Sequence, residues 1–115
     1  MNRTSAKDFK ALGDPNRIRI IKMLEVRELC VCEVREILGL STSTVSKHLS
    51  ILRDADLIVD AKDGKWVNYR LNDRAEEGVV RGLLDLMKVS FKDDEQIRSD
   101  RKMLHKVHRD SICAM

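Results

Sequence analysis

Apolar residues return three and four positions apart along most of the chain, and that rhythm marks helices. Phe9 and Leu12 lie on a short first helix that Gly13 ends. Asp14 then offers an N-cap, and Pro15 suits a first helical position. Ile18, Ile21 and Leu24, widened by Ile20 and Met23, predict an amphipathic helix to about Val26, with Arg17, Arg19 and Lys22 on its other side. A shorter helix is expected from about Cys32 to Leu38, carried by Val34, Ile37 and Leu38 and stopped by Gly39. The hydroxyl cluster from Ser41 to Thr44 can cap another helix, in which Val45, Leu49 and Leu52 point inward. Two helices joined by so short a glycine-containing turn form a helix-turn-helix.

The period then changes. Leu57 to Lys62 and Trp66 to Leu71 are β-prone runs around Asp63-Gly64, a strong hairpin signal. In the second run Val67, Tyr69 and Leu71 alternate with Trp66, Asn68 and Arg70. Asn72-Asp73 offers a cap for a long helix with the stripe Val79, Val80, Leu83, Leu84 and Met87, running to Phe91. The expected fold class is mainly α with a β-hairpin wing (α+β), a winged helix-turn-helix. Residues 1–91 are read as the DNA-binding and dimerisation domain. Residues 92–115 are read as a charged extension, helical or mobile, with Ile97, Leu104, Val107 and Ile112 as sparse apolar points.

Composition sharpens this outline. The 115 residues make one small domain, 43% hydrophobic and 36% charged, which reads as globular rather than disordered. Aromatics are only 3%, so the core must be aliphatic and one chain has little apolar area to bury alone. A homodimer joined through the Val79–Met87 stripe with Phe9 and Leu12 answers that shortage. The net charge of +3 permits a nucleic-acid partner. No apolar run is long enough to span a membrane, and MNRTSAKDFKAL lacks the apolar core of a secretory signal. A cytoplasmic setting with reduced thiols is therefore expected, and three cysteines do not suggest a disulfide framework. No Cys-x-x-Cys pair, Gly-rich phosphate loop or Ser/His/Asp set points to an enzyme, and no cofactor is expected for folding.

On the second helix of the motif, Thr42, Ser43, Thr44, Ser46, Lys47, His48, Ser50 and Arg53 are not needed for the core. Small hydroxyls near a helix start bond phosphates or base edges, and Lys47 adds a phosphate contact. The hairpin contributes Lys62, Lys65 and Arg70. Capping accounts for one hydroxyl and leaves the rest for double-stranded DNA. A winged fold kept only as a protein-interaction module is the reading from a different class. His48, close to Val45 and Leu52, is also read as partly packed.

Cys30 and Cys32 form a soft-ligand pair that favours thiophilic ions, and their alternative reading is as buried small hydrophobes. Residues two apart on a regular helix sit about 200° around its axis, so joint chelation needs Cys30 in the approach to the helix or an unwound first turn. A helix N-terminus and basic neighbours are expected to lower the thiol pKa.

These segments resemble a known family. Ala11 to Ile21, with Gly13-Asp14-Pro15-Asn16-Arg17, is similar to the N-terminal signature of the ArsR/SmtB repressors. Glu28-Leu29-Cys30-Val31-Cys32-Glu33-Val34 resembles the metal-binding segment of their arsenic-responsive members. Ser41 to Leu52, with Val45-Ser46-Lys47-His48-Leu49, is similar to their recognition helix, and Asp56-Leu57-Ile58-Val59 with the hairpin extends the likeness over about residues 6 to 90. The resemblance implies a homodimeric repressor that leaves its operator when arsenite, antimonite or another thiophilic ion binds the thiols. The ion draws the two thiolates together, distorts the helix start and shifts the recognition helix. Arsenic-responsive relatives often carry a third Cys shortly after the pair, where this chain has Arg35. Cys113 is then either a third sulfur or a tail thiol without a ligand role. Zinc-sensing relatives use carboxylate and His ligands on the long dimerisation helix. Residues 74–91 contain no His, and His105 and His108 read as solvated. A repressor of the same fold that senses oxidants or reactive sulfur through Cys30, Cys32 or Cys113 is the alternative within the DNA-binding class.

Overall fold

Side-chain caps decide where several of the helices begin. A computed structural model describes residues 3–108. After α1 (Arg3–Ala11), the Asp14 carboxylate accepts the Asn16 and Arg17 amides at 2.7 and 3.2 Å and opens α2 (Pro15–Leu24). The Ser41 hydroxyl accepts the Thr44 amide at 3.2 Å and opens α4 (Thr42–Asp54). Between them, α3 (Val31–Leu38) ends on Gly39, whose φ of +70° closes the helix in the left-handed region. α2 stops two residues before the expected Val26, because the chain leaves it to form a short strand, β1 (Leu29–Cys30).

That strand joins β2 (Ile58–Asp63) and β3 (Trp66–Leu71) in an antiparallel sheet of order β1-β3-β2. Leu29 pairs with Tyr69 and Cys30 with Asn68. The hairpin ladder runs on to Asp63 opposite Trp66, so the turn residues are Gly64 and Lys65 rather than Asp63-Gly64. Gly64 has a φ of +60° at the first turn position, as a type II′ hairpin requires.

The long helix starts later than expected. Asn72 does not cap it. Its amide donates to the Leu57 carbonyl and its side chain to the Asp56 carbonyl, at 3.0 and 2.9 Å, and it closes the base of the hairpin instead. α5 runs Gly78–Val89, and the Ser90 hydroxyl donates to the Leu86 carbonyl beyond its end. The charged segment that follows forms α6 (Glu95–Leu104), capped by Asp94. α6 lies on α2, where the Arg19 guanidinium makes a two-pronged pair with Asp100 at 2.8 and 2.9 Å, and Leu104 enters the common core.

The core is aliphatic, built from Ile20, Ile21 and Met23 of α2, Val34 of α3, Val45, Leu49 and Leu52 of α4, and Leu57 and Ile58. Leu83, Leu84 and Met87, expected at a dimer interface, are turned into this core, because α5 covers the core of its own chain. Leu12, Val79 and Val80 pack partly against it. The exposed apolar side chains on α1 and α5 are Phe9, Leu86 and Val89. Lys22 also departs from expectation. It is buried, and its ammonium donates to the Met87 carbonyl at 2.6 Å while pairing with Glu25 at 2.8 Å. A cation is favourable there, since the last carbonyls of α5 lack helical partners.

Asp8 on α1 is 3% exposed, and among the described residues its Oδ1 has no hydrogen-bond partner. Burial raises its carboxyl pKa, the charge of Asp56 adds to the rise, and Lys7 opposes it. The folded state therefore favours the protonated form. That contribution is complete below the ordinary carboxylate range and is lost as pH rises through the folded value. Asp8→Asn should raise the melting temperature at pH 7 and raise it less at pH 4. Equal shifts at both pH values, followed by calorimetry, would contradict the unpaired burial.

Candidate nucleic-acid interface and thiol site

Helix α4 separates its residues by angle. Val45, Leu49 and Leu52 are fully buried, and at 3.6 residues per turn Ser43, Lys47 and Ser50 fall on the far side. Thr42, Ser43, Thr44 and Lys47 are exposed, while Ser46 and Ser50 are half-buried. The hydroxyls at the helix start are organised: Ser41 lies 2.9 Å from Thr44 and 3.3 Å from Ser43, and Arg35 donates to Thr42 at 3.2 Å.

Two residues assigned to the DNA face from the sequence have partners within the protein. His48 Nδ1 lies 3.2 Å from a guanidinium nitrogen of Arg17, which also donates to the Ala11 carbonyl at 2.7 Å, so His48 serves the α2–α4 contact. Arg53 pairs with Asp60 of β2 at 3.2 Å and ties the helix to the wing. At the hairpin tip Lys62 and Lys65 are exposed, and the Lys65 ammonium sits 4.8 Å from the Trp66 ring centre, a cation–π distance. Arg70 is half-buried in β3.

The thiols lie where α3 begins. Cys30 is the N-cap residue, with extended φ and ψ of −92° and 169°, and is 2% exposed. It therefore stands in the approach to the helix, as joint chelation requires, with half-buried Cys32 in the first turn. Both border a cleft of about 260 Å³ whose other walls are Val31 and the wing residues Lys65, Trp66 and Val67.

Glu33 organises this helix start. It is 3% exposed; one carboxylate oxygen accepts the Cys30 amide at 3.0 Å, and the other accepts from Arg27 at 3.0 Å. Arg27 in turn donates to the Val107 carbonyl at 2.9 Å. The expectation of a lowered thiol pKa fails for Cys30. Burial pushes it up and the Glu33 carboxylate adds to the rise, while the Glu33 and Cys32 amides only partly oppose them. Cys30 is a free thiol, while Cys32 is disulfide-bonded, a single bridge where the sequence suggested no disulfide framework. Cys113 lies outside the described residues. His105 and His108 are exposed, and His108 borders a polar cleft with Arg27, Glu28, Glu33 and Asn68. Among the described residues, no group of three or more His, Cys, Asp or Glu is arranged to hold a metal ion.

The sequence reading did not single out Glu33 or Trp66 for the thiol site. Glu33 was detectable, since an acid three residues after a helix N-cap is the spacing of a capping box. Trp66 reaches the cleft only through the β1–β3 pairing, and a two-residue strand leaves no periodic signal.

A helix-turn-helix followed by a hairpin wing defines the winged helix-turn-helix class. Residues 14–59 match the family described as "Bacterial regulatory protein, arsR family". The chain is 46% identical over 65 residues to the arsenical resistance operon repressor of Escherichia coli K12, covering 56% of each protein. It is 32% identical over 111 residues to the arsenic resistance transcriptional regulator ArsR2 of Pseudomonas putida, covering 91% of this chain and 93% of that one. The chain belongs to the ArsR family. It spans 56–63% of the length of the first curated relatives that it matches. The fold is shared with the homodimeric winged helix-turn-helix DNA-binding domain Mb0332 of Mycobacterium bovis, at a TM-score of 0.65 and 24% identity over 80% of this chain and 82% of that one.

Burial of Cys30 has a chemical consequence. In reduced protein at pH 7.5, iodoacetamide should modify Cys30 far more slowly than it does in urea, with the gap narrowing at alkaline pH. Equal native and unfolded rates, read by mass spectrometry of the Cys30 peptide, would contradict the raised thiol pKa.

Proposed function

We propose that the protein is a homodimeric transcriptional repressor that binds double-stranded operator DNA and is released when arsenite or antimonite engages Cys30 and Cys32. The observation that carries this reading is the extended N-cap position of Cys30, beside Cys32, in a cleft next to the wing. The arsenical-resistance names of its relatives support the same inducer class. The exposed hydroxyls at the start of α4, with Lys47, would meet base edges and phosphates in the major groove, and Lys62 and Lys65 would follow the backbone. Exposed Phe9, Leu86 and Val89 supply apolar area for a second copy.

Soft trivalent ions suit thiolates, and the Cys32 bridge must first be reduced for both sulfurs to coordinate. The third position on the ion then falls to solvent, a small thiol or Cys113. Metalloid and DNA affinities are coupled reciprocally, so each weakens the other by one factor. The disulfide state of Cys32 favours a second reading in which oxidation itself is the signal.

A random-duplex selection with reduced protein supplies the operator for anisotropy titrations. Arsenite should weaken binding by about 5- to 150-fold. Cys30→Ser and Cys32→Ser should each bind the operator as tightly as the wild type and lose the arsenite response. Lys47→Ala should weaken binding across sequences and reduce the salt slope by about one. A normal arsenite response in the double serine variant would overturn the thiol-pair reading. Release of the wild type by peroxide but not by arsenite would favour the redox reading.

A further inference from the structure

The wing and the thiol site share a strand and a cleft. Cys30 pairs with Asn68 of β3, and Trp66 and Val67 of the same strand line the cleft opposite Cys30, Val31 and Cys32. Trp66 also closes the hairpin ladder opposite Asp63, immediately before the turn, and Lys65 stacks on its ring. A wall of the cleft is thus also the root of the basic wing tip. From the far edge of the hairpin, Asp60 holds Arg53 of α4, which gives wing displacement a route to the helix.

We propose that Trp66 is a positioning residue that transmits occupancy of the thiol cleft to the wing, so that the inducer acts on the hairpin as well as on the start of α3. This inference rests on the thiol-sensor reading above. An ion held by Cys30 and Cys32, with its remaining ligand, takes up space in a cleft of about 260 Å³ bounded by the indole. Displacement of the indole carries Lys65 with it through their stacking, and the wing loses its alignment for the DNA backbone. Trp66 takes no part in holding the ion or the operator. Its contribution appears in the coupling between them.

The test uses the reduced full-length protein, arsenite and the selected operator duplex. Its readout is the ratio of operator affinities without and with arsenite, in which a uniform loss of DNA affinity cancels. In Trp66→Ala, arsenite should still protect both thiols from iodoacetamide while the ratio falls to about twofold or less, and Trp66→Phe, which keeps an aromatic wall, should retain the wild-type ratio within about twofold. A wild-type ratio in Trp66→Ala would overturn the proposal. Should Trp66→Ala not fold, the wild type provides a second measurement, because Trp66 is the only tryptophan. Arsenite should shift its emission, and the shift should be absent in Cys30→Ser. An unchanged emission with both thiols protected would overturn the coupling alone. Failure of arsenite to protect the wild-type thiols would instead overturn the sensor reading on which it rests.

Discussion

Glu33 is a buried carboxylate shared by three parts of the fold. One oxygen accepts the amide of Cys30 and fixes the start of α3, and the other receives Arg27, whose second arm reaches the carbonyl of Val107 beyond α6. Glu33 is buried whereas Arg27 keeps partial contact with solvent, so loss of Arg27 would strand a buried carboxylate. The arrangement also explains how a cysteine can occupy an N-cap. Ser, Thr, Asp and Asn are favoured there because their oxygens accept the first free amides. Glu33 reaches back to the N-cap amide, leaving Cys30 in an extended conformation with its sulfur beside the cleft.

The same constraint sets the reactivity of the site. A helix N-terminus ordinarily favours thiolate, yet Cys30 is enclosed and faces a carboxylate, and both effects favour the thiol. A ligand that binds as strongly as a soft trivalent ion can still displace the proton, whereas weaker electrophiles meet a largely protonated sulfur. The proposed sensor therefore combines a guarded thiol at Cys30 with the half-buried sulfur of Cys32 in the first helical turn, which becomes a second thiol on reduction.

Much of the architecture was legible in the sequence because its signals are local. Asp14 and Ser41 cap the predicted helices, Gly39 ends one, and the alternation of Val67, Tyr69 and Leu71 identifies a strand. Errors arose where a side chain had two possible uses. Asn72 reads as a helix cap but binds the hairpin base, and Lys22 reads as a surface cation but crosses the core to Met87. Leu83, Leu84 and Met87 belong to an apolar stripe, but periodicity does not distinguish a chain's own core from a partner's surface. At the thiol site the pair itself was legible. Its environment was not, since Trp66 and the reach of Arg27 depend on contacts distant in sequence.

One place, where β1 passes into α3, is thus joined to the wing by strand pairing and, through Arg27, to the Leu104 carbonyl at the end of α6 and the Val107 carbonyl beyond it. Amide hydrogen exchange of the reduced protein, with and without arsenite, tests that claim most directly. Arsenite should speed exchange from Leu29 to Glu33 and in the facing segment from Trp66 to Tyr69, and leave the amides of α5 unchanged. Exchange that is unaltered at the start of α3 while α5 responds would contradict it.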